Sequence, residues 1–210
     1  MLYDTHIFNA KEFDIKTICV GNLSAGGTGK TPHVDYLISL LKNEMLVATL
    51  SRGYGRKSSG YILATENSDW QEIGDEPCQY KQKHPQVNVA VDANHKNGIT
   101  KLQNDIKDLQ IILMDDAFQH RAVKAGLNVV LTDYKNLYLN DSMLPSGTLR
   151  EFKSGIQRAD IIVVSKCPQT LQDNERNKII ERIYPDKNRT CFFLRWFMRL
   201  KLNQSLVQKS

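Results

Sequence analysis

The sequence has few cysteines and none of the closely spaced pairs that bind zinc. Its four cysteines are far apart, and no C-x-x-C pair occurs; they are Cys19, Cys78, Cys167 and Cys191. Structural zinc sites use paired ligands, and disulfide-stapled domains carry cysteine at a much higher density. The pattern argues against both kinds of scaffold and favours a reducing compartment.

Long apolar runs and blocks of one charge are also missing. No apolar run is long enough to cross a bilayer, and the opening residues MLYDTHIFNAKEF lack the apolar segment of a signal peptide. The formal net charge of +5 is spread along the chain, with no basic stripe carrying interleaved aromatics. We therefore predict no nucleic-acid partner, whereas an anionic ligand or surface fits the charge.

What is present is a globular composition with alternating elements. The chain has 210 residues, of which 41% are hydrophobic and 24% charged, enough for one domain with a core. Short apolar runs predict strands at 17–20, 46–50, 87–91, 111–114, 129–132, 161–164 and 191–194. Helical spacing predicts helices at 30–42, 75–83, 95–102 and 171–183. This order predicts an α/β fold with a mostly parallel sheet, helices on both faces and ligands beyond the carboxyl ends of the strands.

A glycine-rich stretch, GNLSAGGTGKTP at 21–32, follows the first predicted strand. It closes like the phosphate-binding loop G-x-x-x-x-G-K-[ST], although Ser24 stands where that pattern has glycine. In such loops the lysine reaches the β- and γ-phosphates and the hydroxyl residue ligates Mg²⁺. The alternative is a turn that matches by chance, but a strand before and a helix after favour a nucleotide site. The predicted ATP-binding residues are Ser24, Ala25, Gly26, Gly27, Thr28, Gly29, Lys30 and Thr31.

An acidic pair ends a later apolar strand in ILMDDAFQHR. Folds that bind nucleotides supply a carboxylate to Mg²⁺ from such a position, so Asp115 and Asp116 join Thr31 as predicted metal ligands. A solvated Asp-Asp turn is the alternative. His120, which follows closely, has by itself the pattern of a surface or core-capping residue.

Three further segments carry charge without a specific pattern of their own. Asp75 and Glu76 in IGDEPCQY stand at a predicted helix start, where acids usually cap the helix. Arg52 in SRGYGRK, and Arg150 with Glu151 in LPSGTLREF, suit an anionic substrate but equally a solvated loop. Taken singly, these residues support no function.

Taken together and in order, the motifs VGNLSAGGTGKTP, LSRGYGRK, GDEP, DDAFQH and LPSGTLREF resemble the tetraacyldisaccharide 4'-kinase family. The resemblance implies a P-loop fold that transfers the ATP γ-phosphate to the 4'-hydroxyl of tetraacyldisaccharide 1-phosphate, a lipid A precursor. It also implies work at the cytoplasmic face of the bacterial inner membrane. The family characteristically carries a hydroxyl residue at the position of Ser24.

The resemblance also implies roles for single residues. Lys30 and Thr31 keep their phosphate and Mg²⁺ assignments, and Asp115 and Asp116 match an acidic pair near Mg-ATP. Asp75 matches an aspartate that acts in catalysis together with a histidine from a later domain, and Lys30 is the second expected catalytic residue. Residues that match motifs lining the site, and are expected near the substrate, are Arg52, Tyr54, Arg150 and Glu151.

The extent of the resemblance sets the expected domain organisation. It predicts a nucleotide-binding lobe over 1–194 and a tail over 195–210 without family pattern. Family members usually carry an N-terminal membrane-binding segment and a second lobe with the partner histidine. Neither pattern occurs in this sequence, so we expect it to hold only part of the active site. The sequence carries no signal for the oligomeric state.

Two other functions remain open at the level of sequence. ATPases of the partition and cofactor-insertion type share similar loops, but they carry a lysine just before the double glycine, where Ala25 stands here. A nucleotide-binding module without turnover is the second alternative. A guanine-nucleotide switch fits less well, because SKCP replaces the asparagine, lysine and aspartate that such proteins use to bind guanine.

Overall fold

The chain folds as an alternation of strands and helices, which the computed structural model describes for residues 10–183 and 190–195. In that part of the chain the strands are β1 Lys16–Asn22, β2 Val47–Ser51, β3 Ile62–Leu63, β4 Asn88–Val91, β5 Ile111–Asp115, β6 Leu127–Asp133, β7 Ile161–Cys167 and β8 Thr190–Arg195. The α-helices there are α1 Lys30–Leu41, α2 Trp70–Ile73, α3 Asp75–Lys83, α4 His95–Asp105 and α5 Asp173–Ile183, and two 3-10 helices span Tyr138–Asn140 and Lys153–Arg158.

The described strands form one sheet in the order β3-β4-β2-β5-β1-β6-β7-β8. Every pairing is parallel except that of β3 with β4, which is antiparallel. The predicted α/β class with a mostly parallel sheet is therefore confirmed. Each predicted strand and helix is present, with ends that differ by a few residues. The short elements β3 and α2 were not predicted.

Helices cover both faces of the sheet, as expected for parallel strands that are buried on both sides. On β5, Ile111 and Leu113 pack into the same cluster as Val34 of α1 and Tyr80 of α3. The alternate residues of β5 pack into a second cluster with Leu102 of α4. Because side chains alternate along a strand, one continuous apolar run serves both layers.

This arrangement brings the polar loops to one edge. The strands β1 and β5 are neighbours at the centre of the sheet, with Val20 of β1 in register with Asp115 of β5. The glycine loop leaves β1 and the acidic pair leaves β5 at this same edge. In open parallel sheets, ligands bind at this edge, beyond the carboxyl ends of the strands.

None of the described helices combines the length and hydrophobicity that a bilayer crossing needs. Residues 1–9 and the predicted tail beyond residue 195 lie outside the described residues.

Candidate active site

Hydrogen bonds within the glycine loop and from strand β7 fix the conformation of the loop. The Nδ2 of Asn22 donates to the Thr28 hydroxyl at 2.8 Å, and the Ser165 hydroxyl on β7 donates to the Thr28 carbonyl at 2.8 Å. Gly26 and Gly29 have φ angles of 111° and 89°, in the left-handed region where only glycine is unstrained. Nothing lies within 4 Å of the position that a Cβ at Gly26 would take, so the loop is open towards the cleft described below.

Ser24 faces away from that opening. Its side chain is buried, and its hydroxyl lies 3.5 Å from the Oδ2 of Asp141, which also binds the backbone and hydroxyl of Thr148. The next residue, Ala25, donates its N–H to the Thr148 carbonyl at 2.6 Å. The hydroxyl at position 24 thus joins the loop to the segment before Arg150, and Ser24 does not line the cleft.

Asp116 binds two cationic side chains, Arg150 and Lys30, in front of the glycine loop. Its carboxylate accepts a bidentate pair of hydrogen bonds from Arg150, at 2.7 and 3.0 Å, and lies 3.5 Å from the Lys30 ammonium. Arg150 also donates to the Asn22 side chain at the base of the loop. Burial by itself would raise the pKa of Asp116, but the hydrogen bonds from Arg150 and the charge of Lys30 outweigh it and hold the pKa below its usual value.

Asp115 has a different environment, although it is the adjacent residue. It is 2% exposed, and its Oδ2 accepts a hydrogen bond of 2.7 Å from the Tyr80 hydroxyl. Burial, with the negative charges of Glu76 and Asp116, raises the pKa of Asp115 to about 7, against the lowering effect of Tyr80 and Lys30. Its Oδ1 is buried and has no hydrogen-bond partner. A buried carboxylate oxygen without a partner is a costly feature unless a ligand completes it.

These side chains fit a magnesium ion that is completed by nucleotide phosphates. The Thr31 hydroxyl donates to Glu76 at 2.8 Å, which places a hydroxyl and a carboxylate beside Asp115. Mg²⁺ usually takes only one or two protein carboxylates and fills its octahedron with phosphate oxygens and waters. Within the described residues no group of three or more histidine, cysteine or acidic side chains could hold a metal by itself.

A cleft of about 1340 Å³ joins these groups, and we call it the nucleotide cleft. It is lined by residues of the glycine loop, the SRGYGRK loop, the start of α3 and the end of β5. The predicted site residues along it are Ala25–Thr31, Arg52, Tyr54, Asp75, Asp115, Asp116 and Arg150. Glu151 is not among them: it binds Arg158 at 2.7 Å and Gln119 at 2.8 Å beside the cleft.

Two groups at the cleft did not stand out in the sequence. Glu76, which appeared to be a helix cap, is hydrogen-bonded to Thr31. His120 lines the cleft and stacks on His95, with ring centroids 4.1 Å apart. Both ring nitrogens of His95 are buried, and burial lowers its pKa to about 3, with a smaller contribution from His120. The two histidines are 25 residues apart (95 and 120), and no local pattern connects them.

The family model for "Tetraacyldisaccharide-1-P 4'-kinase" (LpxK) matches residues 1–205 of the chain. The chain belongs to this family. The predicted resemblance is confirmed, and the motifs on which it was based are those that meet in the nucleotide cleft.

Relatives in this family are similar over most of the chain. A tetraacyldisaccharide 4'-kinase of Flavobacterium johnsoniae is 52% identical over 192 residues, covering 91% of this chain and 56% of the relative. One of Bacteroides thetaiotaomicron is 50% identical over 188 residues, covering 88% of this chain and 49% of the relative. The chain thus spans about half the length of the curated relatives it matches.

A solved family member has the same fold. The crystal structure of LpxK from Aquifex aeolicus in complex with ATP matches with a TM-score of 0.71 and 39% identity, over 78% of this chain and 52% of that one. The P-loop type of fold predicted from the glycine loop is confirmed by this similarity.

Proposed function

We propose that the chain binds Mg-ATP in the nucleotide cleft and forms the nucleotide-binding part of a tetraacyldisaccharide 4'-kinase. The reaction would move the ATP γ-phosphate to the 4'-hydroxyl of tetraacyldisaccharide 1-phosphate. The observation that carries this proposal is the convergence of Lys30 and Arg150 on Asp116, directly in front of an open glycine loop. Two cations held by one carboxylate beside the loop are in reach of a polyphosphate bound there.

The loop and the two cations account for phosphate binding. The N–H groups at the start of α1 and the positive end of that helix attract phosphate oxygens. Lys30 and Arg150 would then balance the charge that spreads over the γ-phosphate during transfer. Asp116 orients both side chains beforehand through contacts of 2.7–3.5 Å.

Thr31, Asp115 and Glu76 are the residues that would hold a magnesium ion beside them. When bound, the ion would neutralise negative charge on the phosphates. Asp116 was also predicted as a ligand, and it stays a prediction in that role because its carboxylate already binds two cations. Tyr80 fixes the orientation of Asp115 by its hydrogen bond and leaves Oδ1 available.

Asp75 is the residue that we propose to face the acceptor. It is the first residue of α3, it is exposed, and it lines the nucleotide cleft next to Glu76. A carboxylate at this place can accept the proton of the attacking hydroxyl or orient a base that does so. Tyr54, 92% exposed, and Arg52 lie on the SRGYGRK loop, which lines the same cleft, and would contact the substrate.

The acceptor class and the place of action are part of the proposal, and membership of the family supports both. We propose a lipid substrate, reached at the cytoplasmic face of the bacterial inner membrane. The formal net charge of +5 supports this, because it favours an anionic lipid and an anionic surface.

The test is transfer of labelled phosphate from ATP to tetraacyldisaccharide 1-phosphate in detergent micelles. We expect the unaltered chain, which holds only part of the family's active site, to give reduced transfer, and we expect Asp75→Ala to abolish it. Glu66→Ala, which removes an exposed carboxylate from a loop outside the cleft, should leave transfer unchanged.

Two outcomes would argue against the proposal. Mg-ATP binding without transfer, unchanged by Asp75→Ala, would identify a nucleotide-binding module without turnover. ATP hydrolysis that needs no lipid acceptor would instead favour an ATPase of the partition or cofactor-insertion type.

A further inference from the structure

A second cavity opens next to the nucleotide cleft, between α1 and α3. This groove, which we call the α1–α3 groove, has a volume of about 770 Å³. Four residues line both cavities, namely Thr31, Pro32, Asp75 and Glu76. The two cavities therefore meet at the carboxylate proposed to face the acceptor and at the hydroxyl proposed to hold the metal.

The groove carries an indole on its outer wall. Trp70, the first residue of α2, lines the groove and is 52% exposed. Tryptophan combines a large apolar face with an N–H donor and is enriched at binding surfaces. The amide side chains of Gln79 and Gln82 on α3 also line the groove.

The position of Trp70 relative to Asp75 is fixed by a tight turn. Gly74 connects α2 to α3 with a φ of 92°, and its N–H donates to the Trp70 carbonyl at 2.9 Å. A Cβ at Gly74 would lie 2.9 Å from the Tyr54 carbonyl, so the turn packs directly against the SRGYGRK loop. The indole and the carboxylate are therefore held together before any ligand arrives.

The charges of the groove exclude a second anion. Asp35, Asp75 and Glu76 line it, against one lysine, Lys83, which is paired with Asp35. An acidic wall repels phosphate but accepts hydrogen bonds from hydroxyl groups. A flat indole suits the apolar C–H face of a sugar ring, while carboxylates and amides suit its hydroxyl edge.

We propose that the α1–α3 groove binds the acceptor's sugar ring, with Trp70 as its platform. The inference rests on the proposed function, since it takes the acceptor to be a phosphorylated sugar. A ring seated on Trp70 presents a hydroxyl to Asp75, where the two cavities meet, and keeps the acceptor's own phosphate outside the acidic groove. Trp70 is then a specificity-determining residue for the sugar, with no contact to the nucleotide.

The first measurement is Trp70 fluorescence, which needs no turnover. The sequence has two tryptophans, so Trp196→Phe leaves Trp70 as the only indole. We expect its emission to change when micelles carrying tetraacyldisaccharide 1-phosphate are added, and to stay constant with empty micelles. An equal change with empty micelles would make Trp70 a membrane contact, and no change with loaded micelles would leave the groove without a sugar; either result overturns the inference.

The second measurement compares variants by equilibrium binding of radiolabelled acceptor in micelles. Trp70→Ala should weaken acceptor binding about three- to tenfold and leave ATP affinity and Tm unchanged. Trp70→Phe should restore most of the acceptor affinity, because a flat face remains. Phe192→Ala, which removes a half-exposed aromatic on β8 outside both cavities, is the matched control and should change neither affinity.

Unchanged acceptor affinity in Trp70→Ala would overturn the inference, as would an equal loss of ATP affinity or a fall in Tm. A failure of the proposed kinase function would give a different experimental result from a failure of the sugar groove. Acceptor binding that depends on Trp70, together with no phosphate transfer, would refute the kinase activity of the chain and leave the sugar groove in place.

Discussion

At the scale of single residues, two adjacent aspartates have opposite electrostatic settings. Asp115 ends β5 and is buried, whereas Asp116 has a φ of 49°, in the left-handed region that aspartate tolerates better than most residues. That backbone turn takes Asp116 out of the alternation of the strand and brings its carboxylate to Lys30 and Arg150. The sequence DD carries no sign of the turn, so the division of roles could not be predicted from it.

The buried His95 should make the free energy of unfolding depend on pH. Burial holds its pKa at about 3 in the folded chain, against a usual value of 6.5, so the folded state excludes a proton that the unfolded state binds. A depressed pKa contributes stability above pH 6.5 that is lost as the pH falls towards 3. The free energy of unfolding should therefore decrease below pH 6.5, by up to about 1 kcal/mol per pH unit from this one group.

His95→Phe is the variant that checks this. It keeps a ring to stack on His120 but cannot take up a proton, so its unfolding free energy should fall less steeply between pH 6.5 and 5. The measurement is urea unfolding at several pH values. Parallel slopes for the two proteins would mean that His95 does not contribute to acid unfolding.

At the scale of helices and strands, length decided what the sequence could predict. Mostly apolar runs of four or five residues predicted seven of the described strands, and the start of α3 was predicted at Asp75. The misses, β3 with two residues and α2 with four, are too short to show a period. The order of strands depends on packing between distant segments, so the meeting of β1 and β5 followed only as a general expectation for parallel sheets.

The contacts of the candidate active site show the same limit, because local sequence patterns do not contain contacts between distant segments. Local motifs indicated Lys30, Thr31, Asp115 and Asp116, and the family resemblance added Arg150. The fold brings all five to one cleft. Glu76 was missed because an acid in a first helical turn is usually a cap. Its bond to Thr31 depends on how α3 lies against α1, and no local pattern contains that information.

His84, at the end of α3, connects this helix to α1, and we expect its replacement to destabilise the chain. His84 is 3% exposed; its Nε2 lies 2.9 Å from Asp35 of α1, and the Lys42 ammonium at the end of α1 lies 3.1 Å from its Nδ1. Because an ammonium only donates, the ring proton is on Nε2 and faces Asp35. His84→Leu should cost about 2 kcal/mol of unfolding free energy, since it leaves the partly buried Asp35 and Lys42 without this partner.

Lys83→Ala is the matched control for that experiment. It removes another partner of Asp35, but Lys83 is 59% exposed and such surface ion pairs contribute at most about 1 kcal/mol. Chemical denaturation of both variants measures the difference. If the two variants lose equal stability, the buried histidine does not join the helices more strongly than the surface pair does.

At the scale of the whole molecule, the nucleotide cleft touches segments that are distant in sequence. The loops after β1 and β2, the ends of β5 and β7, the start of α3 and Arg150 all line it. A ligand that contacts this many strands of one sheet stabilises the sheet as a unit. Binding energy should therefore appear as global stability, in a single cooperative unfolding transition.

This coupling gives the last prediction, made with thermal unfolding. Mg-ATP at a hundred times its dissociation constant should stabilise the chain by about 3 kcal/mol, which for this size raises Tm by about 5–10 °C. ATP with EDTA should give a smaller rise at the same concentration, because the negative charges of Asp115 and Glu76 then face the phosphates without a metal. Lys30→Ala should abolish the rise in both conditions, since it removes the ammonium nearest to the loop.

Asp115→Asn distinguishes the contribution of the metal to the rise in Tm from that of the nucleotide in the same assay. An amide oxygen still accepts from Tyr80, so the local hydrogen bond survives while the charge that attracts Mg²⁺ is lost. We expect this variant to keep or increase the rise that ATP gives in EDTA, because one charge that repels the phosphates is gone, and to lose the additional rise that Mg²⁺ provides. A full Mg²⁺ increment in Asp115→Asn would move the metal to other ligands, with Asp116 as the next one to test, while loss of the rise in EDTA as well would show that Asp115 supports the loop itself and not the ion.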